Sequence, residues 1–411
     1  MISKRSTIKA NMTSNTLSSS ASACLNKIDK NCKSAAERKA RQAIALALSS
    51  GGFPHTRFAV CKAVGFGSNG AVLAAVDHIE RTGVAIKLIY KPDALGFSTD
   101  SPNSTPHSVH ISAAKSIPKS IDPHCIPHEI AILRYLASLP KSSPFLVESL
   151  ADWQDSENYY LVTELFGSDW LSPTNVTTNG PANSLPPVII STANSSNKKI
   201  SNLLCIADGT SDLWAWSHAM RRFTQQTEGH AFIPLPPIKR IIKQIAQGLA
   251  HLHANGIYHG DVKCENILIE SSTSADVNAK LADFGHARFV ADQVIVTYGT
   301  QAVSPPEFLD DAPFNRNQLD GRMSDVFALG IVLYSLLNDA GVSCPPIPHH
   351  GSFEELVTIH GGVQFYPMPG ISDLDVCGWD LLRGMCMVDP SKRFSIEDAL
   401  EHSWLNDITD V

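Results

Sequence analysis

The sequence has no apolar run of the ~18 residues that a spanning helix needs, so no membrane segment and no membrane partner are expected. It lacks a basic excess: 33 Lys and Arg face 40 Asp and Glu, a formal net charge of −7. That balance excludes a general nucleic-acid binder, which carries clustered positive charge. It leaves room for acidic patches that would attract basic protein segments. Paired cysteines are also missing. The 9 cysteines are scattered, with no CxxC pair and no His/Cys cluster at zinc-finger spacing. Reduced thiols in a cytoplasmic or nuclear protein are the expectation. Acid is absent from the first 28 residues, which hold Lys4, Arg5, Lys9 and Lys27 among many Ser and Thr. This reads as a flexible tail rather than a transit peptide.

What is present is enough apolar material for a sizeable core, at 43% of 411 residues. Residues 1–57 are Ser/Thr-rich and read as a disordered extension outside the core, with one Ala-rich helical candidate near 34–48. From Phe58 to Tyr90, short β-branched runs separated by glycine and a polar hairpin at Arg81-Thr82-Gly83 predict strands. Residues 92–122 are dense in Ser, Pro and His and form a first insertion. Ile126, Ile130, Leu133 and Leu136 then recur near helical spacing, and Asn158 to Leu165 reads as a further strand. A second polar insertion covers 171–210, too long for an ordinary loop in a compact domain. Downstream, Ile238, Ile241, Ile242, Ile245, Leu249 and Leu252 make one helical stripe. Val326 to Leu337 is apolar all round, as a helix buried in a core should be. No internal repeat is visible. The plan is α+β: a strand-rich lobe with one helix, about 58–165, then a mainly helical lobe, about 211–405, and a short tail, 406–411.

Four segments carry chemistry. Gly65-Phe66-Gly67-Ser68-Asn69-Gly70-Ala71-Val72 places glycines where a strand-turn-strand can bring backbone N–H groups against phosphate oxygens. Its position between two strands, rather than between strand and helix, disfavours the dinucleotide-binding fingerprint. Val84-Ala85-Ile86-Lys87 ends an apolar strand in a lysine suited to phosphate charge. Tyr258-His259-Gly260-Asp261-Val262-Lys263-Cys264-Glu265-Asn266-Ile267-Leu268 joins a carboxylate, a lysine and an amide on one loop. The carboxylate can orient an attacking hydroxyl, the lysine can neutralise a moving phosphoryl group, and the amide can hold magnesium. Ala282-Asp283-Phe284-Gly285 adds a second hard oxygen ligand for Mg2+.

Glycine loop, strand lysine, catalytic loop and Asp-Phe-Gly, in this order, resemble the protein kinase family over roughly Phe58 to Leu405. The resemblance implies a bilobal kinase fold with a small antiparallel sheet. It implies transfer of the γ-phosphoryl of Mg-ATP to Ser or Thr hydroxyls of protein substrates. By resemblance Asp261, Lys263 and Lys87 are catalytic. Gly65, Gly67, Gly70, Val72, Ala85, Lys87, Glu129, Glu164, Phe166 and Leu268 would surround ATP, and Asn266 and Asp283 would hold Mg2+. Glu129, in His128-Glu129-Ile130, corresponds to the acid that clamps the strand lysine; a solvated acid at a helix start is the plainer reading. Glu164-Leu165-Phe166 resembles the hinge, preceded by Thr163 as gatekeeper. Asp169 and Asp212 both stand as candidates for the ribose contact, with Asp212 in the better family context.

Later landmarks agree: Ser304-Pro305-Pro306-Glu307 resembles the family's Ala-Pro-Glu, and Glu307 would pair with Arg393 in a structural role. Thr300 by resemblance contacts the catalytic loop. Lys263 and Thr300 favour Ser/Thr acceptors over Tyr, and Glu265 suggests basic residues upstream of the target. The flavour is nearest to calmodulin-dependent-like and PAS-kinase-like catalytic domains, with a monomer expected. One departure stands out: the usual His-Arg-Asp is His259-Gly260-Asp261, which removes the receptor for an activation-segment phosphate. Phosphate-independent activity is therefore expected, although Thr297, Tyr298 and Thr300 offer hydroxyls. A pseudokinase that binds ATP without transfer, and a small-molecule phosphotransferase, are the alternatives.

Overall fold

A computed structural model describes residues 44, 47, 53–54, 56–66, 70–91, 126–167, 212–271, 277–292, 299–300, 303–309, 312–315, 319–338 and 374–406. Both insertions, Gly67, Asp169, Thr297, Tyr298 and residues 407–411 lie outside the described residues. The chain divides into two compact units, one built from residues 1–95, 111–122 and 151–162, the other from the remainder.

The first unit is a five-stranded sheet in the order β1-β2-β3-β5-β4. Its strands are β1 (Phe58–Phe66), β2 (Gly70–Asp77), β3 (Thr82–Tyr90), β4 (Ser149–Gln154) and β5 (Asn158–Glu164). The β-branched runs pair as antiparallel neighbours, β1 with β2 and β2 with β3, and β1 shifts register twice. Alternation along each strand sorts side chains onto two faces. Ala71, Leu73, Ala75, Val84, Ile86 and Leu88 share a face that packs with Phe58, Trp153 and Tyr160. There Trp153 is sandwiched between Phe58 and Tyr160, with centroids 5.5 and 4.7 Å away and interplanar angles of 9° and 6°. Ile44, Ala47 and Phe53 join the same core. The span 1–57, expected outside the core, thus contributes three buried apolar side chains to it. Ile44 and Ala47 fall within the Ala-rich helical candidate, but composition does not say that its residues meet the core of the sheet. Arg57 fastens the junction: its guanidinium bonds the buried Asp77 carboxylate at 2.8 and 2.9 Å, and its carbonyl accepts from His78 N at 2.8 Å.

The second unit is mainly helical. It contains α1 (His128–Ser138), α2 (Leu213–Glu228), α3 (Leu235–Ala254), α4 (Gly321–Leu337), α5 (Val376–Met385), α6 (Ile396–Glu401) and α7 (Ser403–Asn406). The stripe predicted on α3 is wholly buried, and α4 is buried on nearly every face. The first helical stripe is shorter than its spacing suggested: α1 starts at His128, so Ile126 precedes it. Two short antiparallel ladders complete the unit, β6 (Ile257–Tyr258) with β9 (Arg288–Phe289) and β7 (Ile267–Ser271) with β8 (Val277–Leu281). Strand β4 and the two-residue strands β6 and β9 were not legible in the sequence, being too short or too mixed for a period.

Candidate active site

In the first unit, register decides where the expected nucleotide residues fall. Gly65 pairs with Val72, and Val72 with Lys87, so the three share one face of the sheet. Ala85, two residues before Lys87, lies on that face too, opposite Ala74. This is the face turned away from the aromatic core. Gly70 opens β2 opposite Ile89.

In the second unit, the catalytic-loop residues gather tightly around Asp261. The loop leaves β6 and enters β7 through a 3-10 turn at Cys264–Asn266. Asp261 is only 4% exposed. Its Oδ2 takes Lys263 Nζ at 2.8 Å and Asn266 Nδ2 at 2.9 Å, while its main-chain oxygen takes the same amide at 2.8 Å. Its Oδ1 is buried with no hydrogen-bond partner among the described residues. Lys263 Nζ also donates to Thr300 Oγ1 at 2.7 Å, as the resemblance implied. Because Asn266 spends its Nδ2 donors on Asp261, its amide oxygen is oriented to accept or to ligate.

A buried carboxylate holds this loop from behind. Asp325 on α4, fully buried, accepts from His259 N at 2.7 Å and Gly260 N at 2.8 Å, and pairs with His253 Nε2 at 3.0 Å. His259 accepts at Nδ1 from Asp261 N (3.3 Å) and donates from Nε2 to Ala282 O (3.1 Å). Burial holds its imidazole below the usual histidine range, which keeps the neutral tautomer those two bonds need. Asp325 stands immediately before the apolar run that begins at Val326. No local pattern announces an acceptor whose donors lie 65 and 66 positions away.

Two glycines are required here. Gly260 has φ +76°, and a Cβ on it would stand 2.6 Å from His286 O, so the usual arginine would be strained. A Cβ on Gly299 would stand 2.6 Å from Asp261 Oδ1, intruding on the carboxylate; Gly299 N instead donates to Gly260 O at 2.9 Å.

Asp283 follows β8 with φ +62°, a left-handed conformation uncommon outside glycine, and its Oδ1 accepts from Gly285 N at 3.3 Å. Phe284 is buried edge-on to His259, centroids 5.2 Å apart. Glu129 is 6% exposed on α1, not the solvated acid of the plainer reading, and lies beside Gly285. Lys87 and Glu129 belong to different units. The Glu164 carboxylate grips Lys280 Nζ at 2.6 and 2.7 Å, with that ammonium 4.9 Å from the Phe166 ring centre, so β8 anchors the hinge candidate. Leu268 pairs with Lys280 in β7–β8 and bridges to Asp212. Asp212 caps α2, accepting from Ala215 N at 2.7 Å, and burial together with nearby Glu265 raises its carboxyl above the usual range. The Glu307–Arg393 pair is present, bidentate at 2.8 Å and fully buried.

A carboxylate, a lysine and an amide at these spacings, with an Asp-Phe-Gly carboxylate following, make a centre suited to moving a phosphoryl group. The family model of the protein kinase domain matches residues 189–405, more than half the chain. The chain belongs to the protein kinase family, and its α+β architecture is that family's. It is similar to the serine/threonine-protein kinase DCLK3 of Mus musculus, 31% identical over 174 residues, covering 42% of this chain and 21% of the relative. It is also similar to calcium-dependent protein kinase 4 of Plasmodium falciparum (30% identical; 41% of this chain, 30% of the relative). A third similar protein is the serine/threonine-protein kinase CG17528 of Drosophila melanogaster (35% identical; 40% and 21%). The chain therefore spans about a fifth to a third of the length of these curated relatives.

Proposed function

We propose that this chain is an active protein serine/threonine kinase that transfers the γ-phosphoryl group of Mg-ATP to protein hydroxyls. The observation that carries the reading is the division of labour at Asp261. One carboxylate oxygen is fixed by Lys263 and Asn266, and the other is buried with no described partner. The Asp261 carboxylate would orient an acceptor hydroxyl for attack and take its proton as the new O–P bond forms, the γ-phosphoryl bond to ADP breaks and ADP leaves. Lys263, which donates to Thr300 Oγ1, would supply positive charge to the transferred group. Lys87 would hold the nucleotide phosphates and Glu129 would hold Lys87. Gly65, Gly67, Gly70, Val72, Ala85 and Leu268 would enclose the nucleotide, with the Glu164–Phe166 main chain along the adenine. Asn266 and Asp283 present hard oxygens that fit Mg2+, which when bound would neutralise charge on the phosphates. Positioning and electrostatics supply the acceleration.

Regulation follows from Gly260. The activation segment is tied to the catalytic loop by Gly299 N–Gly260 O and Lys263–Thr300, bonds that need no phosphate. Activity should therefore survive phosphatase treatment; its loss, with recovery in Thr297→Glu, would count against this. Glu265 favours substrates with a basic residue upstream of the acceptor.

The test is magnesium-dependent transfer from labelled ATP to mixed protein acceptors and a Ser/Thr peptide library. Asp261→Asn should lower turnover by about 10²–10⁴-fold while ATP binding persists. Tight ATP binding without transfer by either protein would replace the enzyme with a scaffold, and transfer to small molecules alone would replace the acceptor class.

A further inference from the structure

Arg221 lies on α2, away in sequence from the catalytic loop, yet it is 7% exposed. A buried guanidinium needs a reason, because an uncompensated charge away from water is costly. The reason is the end of α4. The last carbonyls of a helix have no intrahelical donors and carry the negative end of its dipole. Arg221 Nη2 donates to three of them, Ser335 O at 2.7 Å, Leu336 O at 3.3 Å and Asn338 O at 3.0 Å. Asn338 is wholly buried, so bulk water does not solvate this end. The same turn reaches the catalytic loop. Ser335 Oγ is 3.6 Å from Sγ of Cys264, which stands between Lys263 and Glu265 and opens the turn that carries Asn266. The other end of α2 begins at Asp212, bridged to Leu268 directly after that turn.

We propose that Arg221 is a positioning residue for the phosphoryl-transfer loop, fastening α2 to the last turn of α4 so that Ser335 seats Cys264. The proposal rests on the kinase reading for its effect on turnover, but not for its effect on Cys264. Without the guanidinium three carbonyls at this helix end lose a donor, the turn opens, and the 264–266 segment loses its rear support. Lys263 and Asn266 then hold Asp261 less well, which slows the chemical step more than it weakens nucleotide binding.

The experiment compares wild type, Arg221→Met and Arg221→Lys in the full chain, well below each melting temperature. Peptide-resolved mass spectrometry follows iodoacetamide labelling of Cys264, and steady-state kinetics separates kcat from KM for ATP. In Arg221→Met, labelling of Cys264 should quicken by about tenfold as local opening becomes easier. Its kcat should fall by about 10–10²-fold with KM for ATP within about twofold. Arg221→Lys, keeping the charge at the helix end, should recover part of both. A general packing role would lower the melting temperature without singling out Cys264 or kcat. Wild-type labelling and kcat in a folded Arg221→Met overturn the proposal. If that variant does not fold, Arg221→Gln, which also removes the charge, decides it, since wild-type behaviour in both readouts there also overturns the proposal. No transfer by the wild type would sink the kinase reading, while Cys264 labelling would still report on Arg221.

Discussion

The two units stabilise themselves by different physics. The strand-rich unit is an apolar sandwich: Trp153 stacked between Phe58 and Tyr160, aliphatic side chains from β2 and β3, and Phe53 edge-on to both Trp153 and Tyr160. Its buried charge is concentrated in Arg57–Asp77. The helical unit places charged groups at its centre: Glu307 with Arg393, Asp325 with two backbone donors and His253, Arg221 with three carbonyls. Apolar cores tolerate a change of shape if volume is kept. Polar cores tolerate little, since removing one partner strands the other. A unit that would meet a nucleotide through backbone and apolar surface, as proposed above, can be forgiving. The unit that must hold Asp261 to a fraction of an ångström cannot.

The sharpest way to break this contrast is at Arg393. Arg393→Met leaves the Glu307 carboxylate buried and unpaired, and should cost about 3–5 kcal/mol of stability by urea denaturation. The double change Glu307→Gln with Arg393→Met should cost clearly less than the sum of the single changes, because neither charge is then stranded. In the first unit, Phe53→Ala removes an aromatic that seals the sandwich, and about 3 kcal/mol should be lost. Phe53→Leu, which keeps most of the volume, should cost under about 1.5 kcal/mol. Near-zero cost for Phe53→Ala would mean the segment before β1 adds nothing to the core.

Acid sharpens the comparison with smaller effects. In the helical unit His259 is depressed by burial, and His128 is held down to about 4 by burial and by nearby Arg288. A histidine with a depressed folded pKa stabilises above its unfolded value, and that contribution is lost as pH falls toward the folded value. This unit should therefore begin to weaken below the ordinary histidine pKa of about 6.5. In the strand-rich unit, burial would raise Asp77, but hydrogen bonds from Arg57 and from the Ile79 and Glu80 N–H groups outweigh it and lower its carboxyl. Its contribution is present above about 3.9, the unfolded aspartate value, and is lost only below that. Hydrogen exchange followed by mass spectrometry between pH 7 and 4 should show α3 and α4 losing protection before β2 and β3. Simultaneous loss would show that these titrations do not set the order.

Much of the site was legible because its chemistry is local. Asp261, Lys263 and Asn266 lie within six residues of one another, so the loop that presents them can be read as a unit. The α3 stripe and the α4 run were equally readable, since period and burial go together in a helix that faces a core. What escaped shares one trait. Asp325 is joined to donors near residue 260, Arg221 to carbonyls beyond 334, Glu164 to Lys280, and Ile44 to strands that begin at 58. Each partner is ordinary in its own neighbourhood and becomes informative only beside the other.

The sequence by itself determined which atoms could do the chemistry, because residue type sets proton affinity, charge and ligand hardness before any fold exists. It also set the α+β order and the absence of the arginine before Asp261, which the positive φ of Gly260 makes tolerable. Only the tertiary structure decided how Asp261 divides its two oxygens, which buried carboxylate holds its loop, and which arginine closes the end of α4. Those are questions of distance between residues far apart in the chain. Burial fixes the answers, since a polar group cut off from water must find its partner wherever the fold has placed one.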